Sequence, residues 1–194
     1  MQLILDLDGG REFRPRKGGR PPRYYFALLP DADVEPQIHG LAQALHERLR
    51  PMKPPRGLGK YHVTLRGIAV PDGPFGQTVE MARTIAKEIQ KTSFAVKLNQ
   101  GASFGAAPKH AFSLTTWEDL PGVNGLSVSL DGALRRAGIM TDKQKFWPHV
   151  TIFYDRIARP PIDVPALHWQ VREFFLIESI DRRPYQILGS WPLG

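Results

Sequence analysis

The chain has 194 residues, 42% of them hydrophobic, a formal net charge of +7 and no cysteine. That suits one domain or two small lobes sharing a core, and it excludes disulfides, thiol catalysis and cysteine-ligated zinc. A basic balance favours an anionic partner such as nucleic acid or a phosphorylated metabolite, and no apolar run is long enough to span a bilayer.

The first residues, MQLILDLDGG, lack the basic and then long apolar stretches of a signal peptide, so a cytoplasmic protein is expected, with no membrane partner. Residues 9–22, GGREFRPRKGGRPP, are rich in Gly, Pro and Arg and cannot bury enough apolar surface to offset their ordering entropy. Residues 1–22 are therefore read as a flexible basic arm, and 23–194 as one folded body. Much of the positive excess sits in the arm, so net charge by itself argues weakly for an RNA groove.

The body opens with Tyr24-Tyr25-Phe26-Ala27-Leu28-Leu29, an aromatic and aliphatic strand stopped at Pro30. Val34, Ile38, Leu41, Leu45 and Leu49 then mark one face of an amphipathic helix. After a Pro/Gly loop over 51–59, the next strand runs from Tyr61 to Ile68. A helix follows from about Gln77 to Gln90, with Val79, Ile85 and Ile89 inward. Strands are expected at 94–99 and 110–116, then a helix around 121–137 carrying Leu126, Leu130, Leu134 and Ala137, stopped at Gly138. A strand from Phe146 to Tyr154 and strands near 169–178 and 184–191 complete the chain.

The two halves resemble each other. Phe26 in YYFALL matches Phe112 in HAFSLT, and His62 in YHVTL matches His149 in PHVTI, with Phe-to-His separations of 36 and 37 residues. Each half reads strand, helix, loop and then a strand carrying His-Val-Thr. This predicts a duplicated β-α-β unit with approximate two-fold symmetry, its halves roughly 23–105 and 106–194, equivalent strands facing across a central groove, and chain termini able to exchange between lobes. A monomer is the default expectation.

Residues two apart in a strand point the same way. Lys60, His62, Thr64 and Arg66 should share one face of the first motif strand, and Trp147, His149, Thr151 and Phe153 one face of the second. The opposite faces, Tyr61-Val63-Leu65 and Pro148-Val150-Ile152, suit a core. Pro148 lacks a backbone donor and favours an edge or a bulge beside His149. Phosphodiester cleavage needs a base for the attacking oxygen, an acid for the leaving oxygen and donors on the phosphoryl oxygens. Two imidazoles on opposing lobes suit in-line displacement, and histidine can play either role near neutral pH. The Thr64 and Thr151 hydroxyls can donate to non-bridging oxygens, and Arg66 can add charge. One His-x-Thr tripeptide carries almost no signal, but matched HVTL and HVTI tetrads at equivalent places in two similar units do.

On His62-Val63-Thr64-Leu65 and His149-Val150-Thr151-Ile152, the chain resembles the 2H phosphoesterases, whose hallmark is two His-x-Thr/Ser motifs each followed by a hydrophobic residue. The resemblance covers most of 23–191, and the opening strand ending at Pro30 and the HVTLRG segment are similar to the LigT-like branch of 2′-5′ RNA ligases and RNA 2′,3′-cyclic phosphodiesterases. It implies an α+β bilobal fold with antiparallel sheets flanking a central cleft. It implies metal-independent opening of a 2′,3′-cyclic phosphate of RNA or a nucleotide to a 2′-phosphate, with weak reverse 2′-5′ ligation in some members. It also implies His62 as acid and His149 as base. Two positions depart from that pattern. Tyr154 stands where such members often carry an arginine, and Pro108-Lys109 replaces a Pro-Arg pair, a lysine lacking arginine's bidentate fork.

Arg66, Lys109, Trp147, Phe153 and Tyr154 are candidate substrate contacts, Trp147 and Phe153 by stacking on a base. One of Tyr24 and Tyr25 is expected at the groove. His39 and His46, seven apart on a helix, lack a further ligand, so no metal is expected. No Gly-rich phosphate loop or dinucleotide fingerprint indicates a cofactor. The alternatives are a 2H phosphoesterase acting on another cyclic phosphate or a 2′,5′-oligonucleotide, and a non-catalytic RNA-binding module.

Overall fold

The computed structural model describes residues 21–143, 145–181 and 183–194, so most of the expected arm lies outside the described residues. In chain order the elements are β1 (Arg23–Leu28), α1 (Val34–Leu49), β2 (Val63–Ile68), α2 (Gln77–Lys87), β3 (Phe94–Phe104), β4 (His110–Thr115), α3 (Pro121–Arg136), β5 (Val150–Asp155), β6 (Ile162–Val171), β7 (Glu173–Ser179) and β8 (Gln186–Pro192). The helices bury the stripes that their period dictates: Val34, Ile38 and Leu45 on α1, Val79, Ala82 and Ala86 on α2, and Leu126, Leu130 and Leu134 on α3. Arg50 at φ 48 and Gly138 at φ 78 take the left-handed conformation that ends α1 and α3.

The eight strands form one antiparallel sheet, in the order β6-β3-β4-β5-β2-β1-β7-β8. Its midpoint is a single bridging pair, Val63 with Val150, between β2 and β5. About that pair the halves match: β2 with β5, β1 with β4, then β7 with β3 and β8 with β6. Strand β3 thus joins the half built on the second motif, while β7 and β8 join the half built on the first. The helices and the inward side chains of both halves make one continuous core. Tyr25, Ala27 and Ile177 form a small separate cluster on the other side, so one face of the sheet carries the helices and the other is left for chemistry.

Beyond the bridge β2 and β5 diverge, and each open edge is covered by the loop that follows the other half's helix. Arg56 N donates to Ile152 O at 2.7 Å and Lys53 N to Tyr154 O along β5, while Asp142 N donates to Gly67 O at 3.1 Å and Ala69 N to Met140 O along β2. The duplication therefore extends into loops whose sequences show no similarity.

Several boundaries differ from the sequence expectation: the first motif strand begins at Val63 rather than Tyr61, α2 ends at Lys87, and β3 runs on to Phe104 rather than ending at 99. The second motif strand begins at Val150 rather than Phe146, because Pro148 cannot donate to a ladder. The apolar stretch expected as one strand at 169–178 is the end of β6 and most of β7, broken at Arg172, and β6 reaches back to Ile162. Strand β6 contains Pro165, which its place at the sheet edge tolerates. No helix among the described residues is long and apolar enough to cross a membrane.

Candidate active site

The bridge at Val63 and Val150 fixes the relation between the motifs. In an antiparallel pair with that register, the neighbours on the opposite face are His62 against Thr151 and Thr64 against His149. Each histidine faces the other motif's threonine, and all four side chains leave the sheet on its helix-free face. The two imidazoles are close enough for the charge of His149 to disfavour protonation of His62.

Both rings are oriented in the same way. His149 Nδ1 lies 2.7 Å from Trp147 O, and His62 Nδ1 lies 3.1 Å from Lys60 O, a carbonyl two residues upstream in each case. A carbonyl only accepts, so each Nδ1 carries a proton towards it and each Nε2 is left for substrate. Each ring is also stacked: His62 on Tyr25 at 5.0 Å between centroids, and His149 on Phe104 at 4.8 Å. Burial pushes the His62 imidazole down to about 3, with the Arg56 charge acting in the same direction against the Lys60 carbonyl. Burial likewise lowers His149, opposed by the Trp147 carbonyl. Both rings are accordingly neutral at pH 7.

The surroundings break the symmetry. Tyr185 OH lies 3.1 Å from His62 Nδ1 and 3.2 Å from Lys60 O, and it accepts from Arg56 Nη2 at 2.9 Å. Lys60 Nζ donates to Arg183 O and lies over the Tyr185 ring at 4.1 Å. Arg56 is held by its own N–H to Ile152 and by its carbonyl, which accepts from the buried Tyr61 hydroxyl. The His62 side is thus cationic. On the other side Ser113 donates to Thr151 Oγ1 at 3.2 Å, which leaves the threonine's own hydrogen to point at a ligand. The residue matching Ser113 is Ala27, paired with Thr64, so Thr64 has no such support.

Several expected contacts are placed differently. In β1–β2 the register slips so that Ala27 faces Thr64 and Phe26 faces Arg66, leaving Leu65 as a bulge. In β4–β5 the same slip at Ile152 pairs Ser113 with Thr151 and Phe112 with Phe153. A bulge advances the strand by one residue, so everything beyond it changes face. Arg66 is therefore not in phase with His62. It is 8% exposed and turned towards α3, where it pairs with Asp131 at 3.4 Å and Asp142 at 3.1 Å and bonds Ser127. Phe153 is not on the cleft face either, being fully buried and stacked on Phe112 at 5.0 Å. The bulge brings Tyr154 to the histidine face instead, with Lys109 Nζ over its ring at 4.0 Å. Trp147 is on the expected face, its Nε1–H donating to Thr115 Oγ1 at 2.9 Å. His39 bonds the Tyr61 hydroxyl and His46 lies edge-on to Phe153, so neither belongs to the site.

Sequence reasoning missed Arg56, Phe104, Ser113 and Tyr185. Ser113 carries a usable signal, a small hydroxyl alternating with buried Phe112 and Leu114 in a strand. Phe104 and Tyr185 reach the site from elements far away in sequence, while Arg56 lies six residues before His62 in an irregular loop whose path no local pattern marks.

No protein-family model and no curated protein matches the sequence. Solved structures do match the fold. A structure described as a phosphoesterase matches with a TM-score of 0.70 at 22% identity, over 89% of this chain and 99% of that one. Escherichia coli LigT complexed with 3′-AMP matches with a TM-score of 0.69 at 21% identity, over 90% of this chain and 99% of LigT. A Thermus thermophilus protein matches with a TM-score of 0.67 at 19% identity, over 88% and 97%. The chain has the LigT-like fold that the motif resemblance implies, with mixed helices and an antiparallel sheet.

Proposed function

We propose that this chain, with a LigT-like fold and two facing His-x-Thr motifs, is a metal-independent 2H phosphoesterase that opens 2′,3′-cyclic phosphates of RNA or nucleotides to 2′-phosphates. The observation that carries the reading is the Val63–Val150 register, which sets each imidazole against the other motif's threonine. A phosphoryl group between them meets Nε2 from both sides and hydroxyls from Thr64 and Thr151. One imidazole takes a proton from the attacking water while the other gives one to the departing O3′.

The two rings suit different roles. His149 Nδ1 faces only a carbonyl, which fixes its proton there and presents a bare Nε2, the form a base needs. His62 Nδ1 carries its proton between two acceptors, the Lys60 carbonyl and the Tyr185 hydroxyl oxygen, so an imidazolium that also holds a proton on Nε2 is accommodated. This supports His149 as base and His62 as acid. The charge of the incoming phosphodiester favours protonating His62, against the burial that disfavours it. Lys109 and Tyr154, paired through a cation–π contact, would meet the substrate on the His149 side, and Arg56 and Lys60, gathered about Tyr185, would meet it on the His62 side. LigT has been crystallised with 3′-AMP and with ATP, which fits a nucleotide as ligand here.

The test is incubation with adenosine 2′,3′-cyclic phosphate in EDTA, followed by ³¹P NMR. The expected result is adenosine 2′-phosphate, with turnover lowered at least about a hundredfold in His62→Ala and in His149→Ala. No turnover by the parent protein, or turnover that survives both substitutions, rejects the reading.

A further inference from the structure

The two halves differ at the residue two before each motif histidine. It is Lys60 in one and Trp147 in the other, so the fold does not demand an aromatic side chain there. Trp147 is held without being buried. Its indole N–H is bound to Thr115, whose hydroxyl donates to Pro148 O at 2.8 Å, while the residue stays 36% exposed. A second tryptophan, Trp117, stands edge-on to it at 5.5 Å between centroids and is 54% exposed. Two indoles left in solvent and fixed beside each other form an apolar surface with no partner in the described protein. Between them opens a recess of about 260 Å³, with Glu118, Asp119, Asn124 and Lys145 among its lining groups. Its wall includes Trp147 and Pro148, which lead directly into His149.

We propose that Trp117 and Trp147 form a nucleobase-binding subsite on the His149 side of the cleft, so that the substrate is a nucleotide or single-stranded RNA end, not a base-free cyclic phosphate. The proposal rests on the phosphoesterase reading and adds the substrate's orientation. The base stacks on the indole faces, as bases do on exposed aromatics in single-strand binders. Its edge meets Asp119 and Asn124, which are bonded to each other at 2.8 Å, with Glu118 held alongside by Lys97, and flanking phosphate charge lies towards Arg56 and Lys60. The recess sits near the lower end of small-molecule pocket sizes, about 300 Å³, which suits one base.

The experiment compares kcat/KM for adenosine 2′,3′-cyclic phosphate with that for glycerol 1,2-cyclic phosphate, in the parent protein, Trp117→Ala and Trp147→Phe. The expected result is a nucleotide-to-glycerol ratio lowered about tenfold in Trp117→Ala, mostly through KM, and lowered less in Trp147→Phe, which keeps a ring. An unchanged ratio overturns the subsite. Should the parent protein cleave neither compound, the phosphoesterase reading fails, and the subsite is still tested by titrating adenosine 2′-phosphate against tryptophan fluorescence. Quenching in the parent, with affinity about tenfold weaker in Trp117→Ala, sustains it. Equal affinities, or no binding by either protein, overturn it.

Discussion

The two imidazoles are the residues on which the chemistry depends, and their environment sets a pH signature. The working free enzyme needs one ring neutral and the other protonated. Burial lowers both rings, so at pH 7 the protonated partner is the scarce species, and its population rises as pH falls. The optimum of kcat/KM, which reports the free enzyme, is therefore expected below pH 6.5. Bound substrate brings negative charge, raises both rings and moves the optimum of kcat towards neutrality. Parallel pH profiles of the two constants check this, and a kcat/KM optimum at or above pH 7 contradicts it. These environments were only partly legible in the sequence. The His-x-Thr pairs identify themselves by repetition. Tyr185 comes from the short connection between β7 and β8, and Arg56 from the middle of the loop before β2, and only the folded chain sets the hydroxyl and the guanidinium beside His62.

At the scale of elements, the matched bulges at Leu65 and Ile152 decide which side chains reach the cleft. Period-two alternation places His62 with Thr64 and His149 with Thr151, and then carries Arg66 and Phe153 onto the same faces. The bulge breaks that phase after the threonine in both strands, and a one-residue insertion into the ladder leaves no mark in the hydrophobic pattern. What it exchanges is a cleft arginine for a buried one that ties β2 to α3 and to the segment at Asp142. Arg66→Met is accordingly expected to lower stability by about 1–3 kcal/mol, since it strips charged hydrogen bonds from Asp142 and Ser127 and the ion pair from Asp131. The folded remainder should keep its KM. Urea unfolding and steady-state kinetics on the same preparation separate the two effects, and a raised KM at unchanged stability would return Arg66 to the cleft.

The described fold is two similar halves whose sheets meet at one residue pair, with strands exchanged between the halves and each half's helix-exit loop laid along the other's motif strand. The duplication was visible in sequence through equal spacings. The crossing loops and the placement of β3, β7 and β8 were not, because strand partners are set by contacts across the chain and not by local pattern. This architecture holds the histidines to each other through the sheet itself, so a single phosphate should be felt by both. The most direct test is ¹⁵N NMR of the histidine rings, assigned with His62→Gln and His149→Gln, during titration with inorganic phosphate. The His62 and His149 signals are expected to shift along one common saturation curve, with both rings becoming easier to protonate. Phosphate that moves one ring alone, or moves the two with different affinities, contradicts a shared phosphorus.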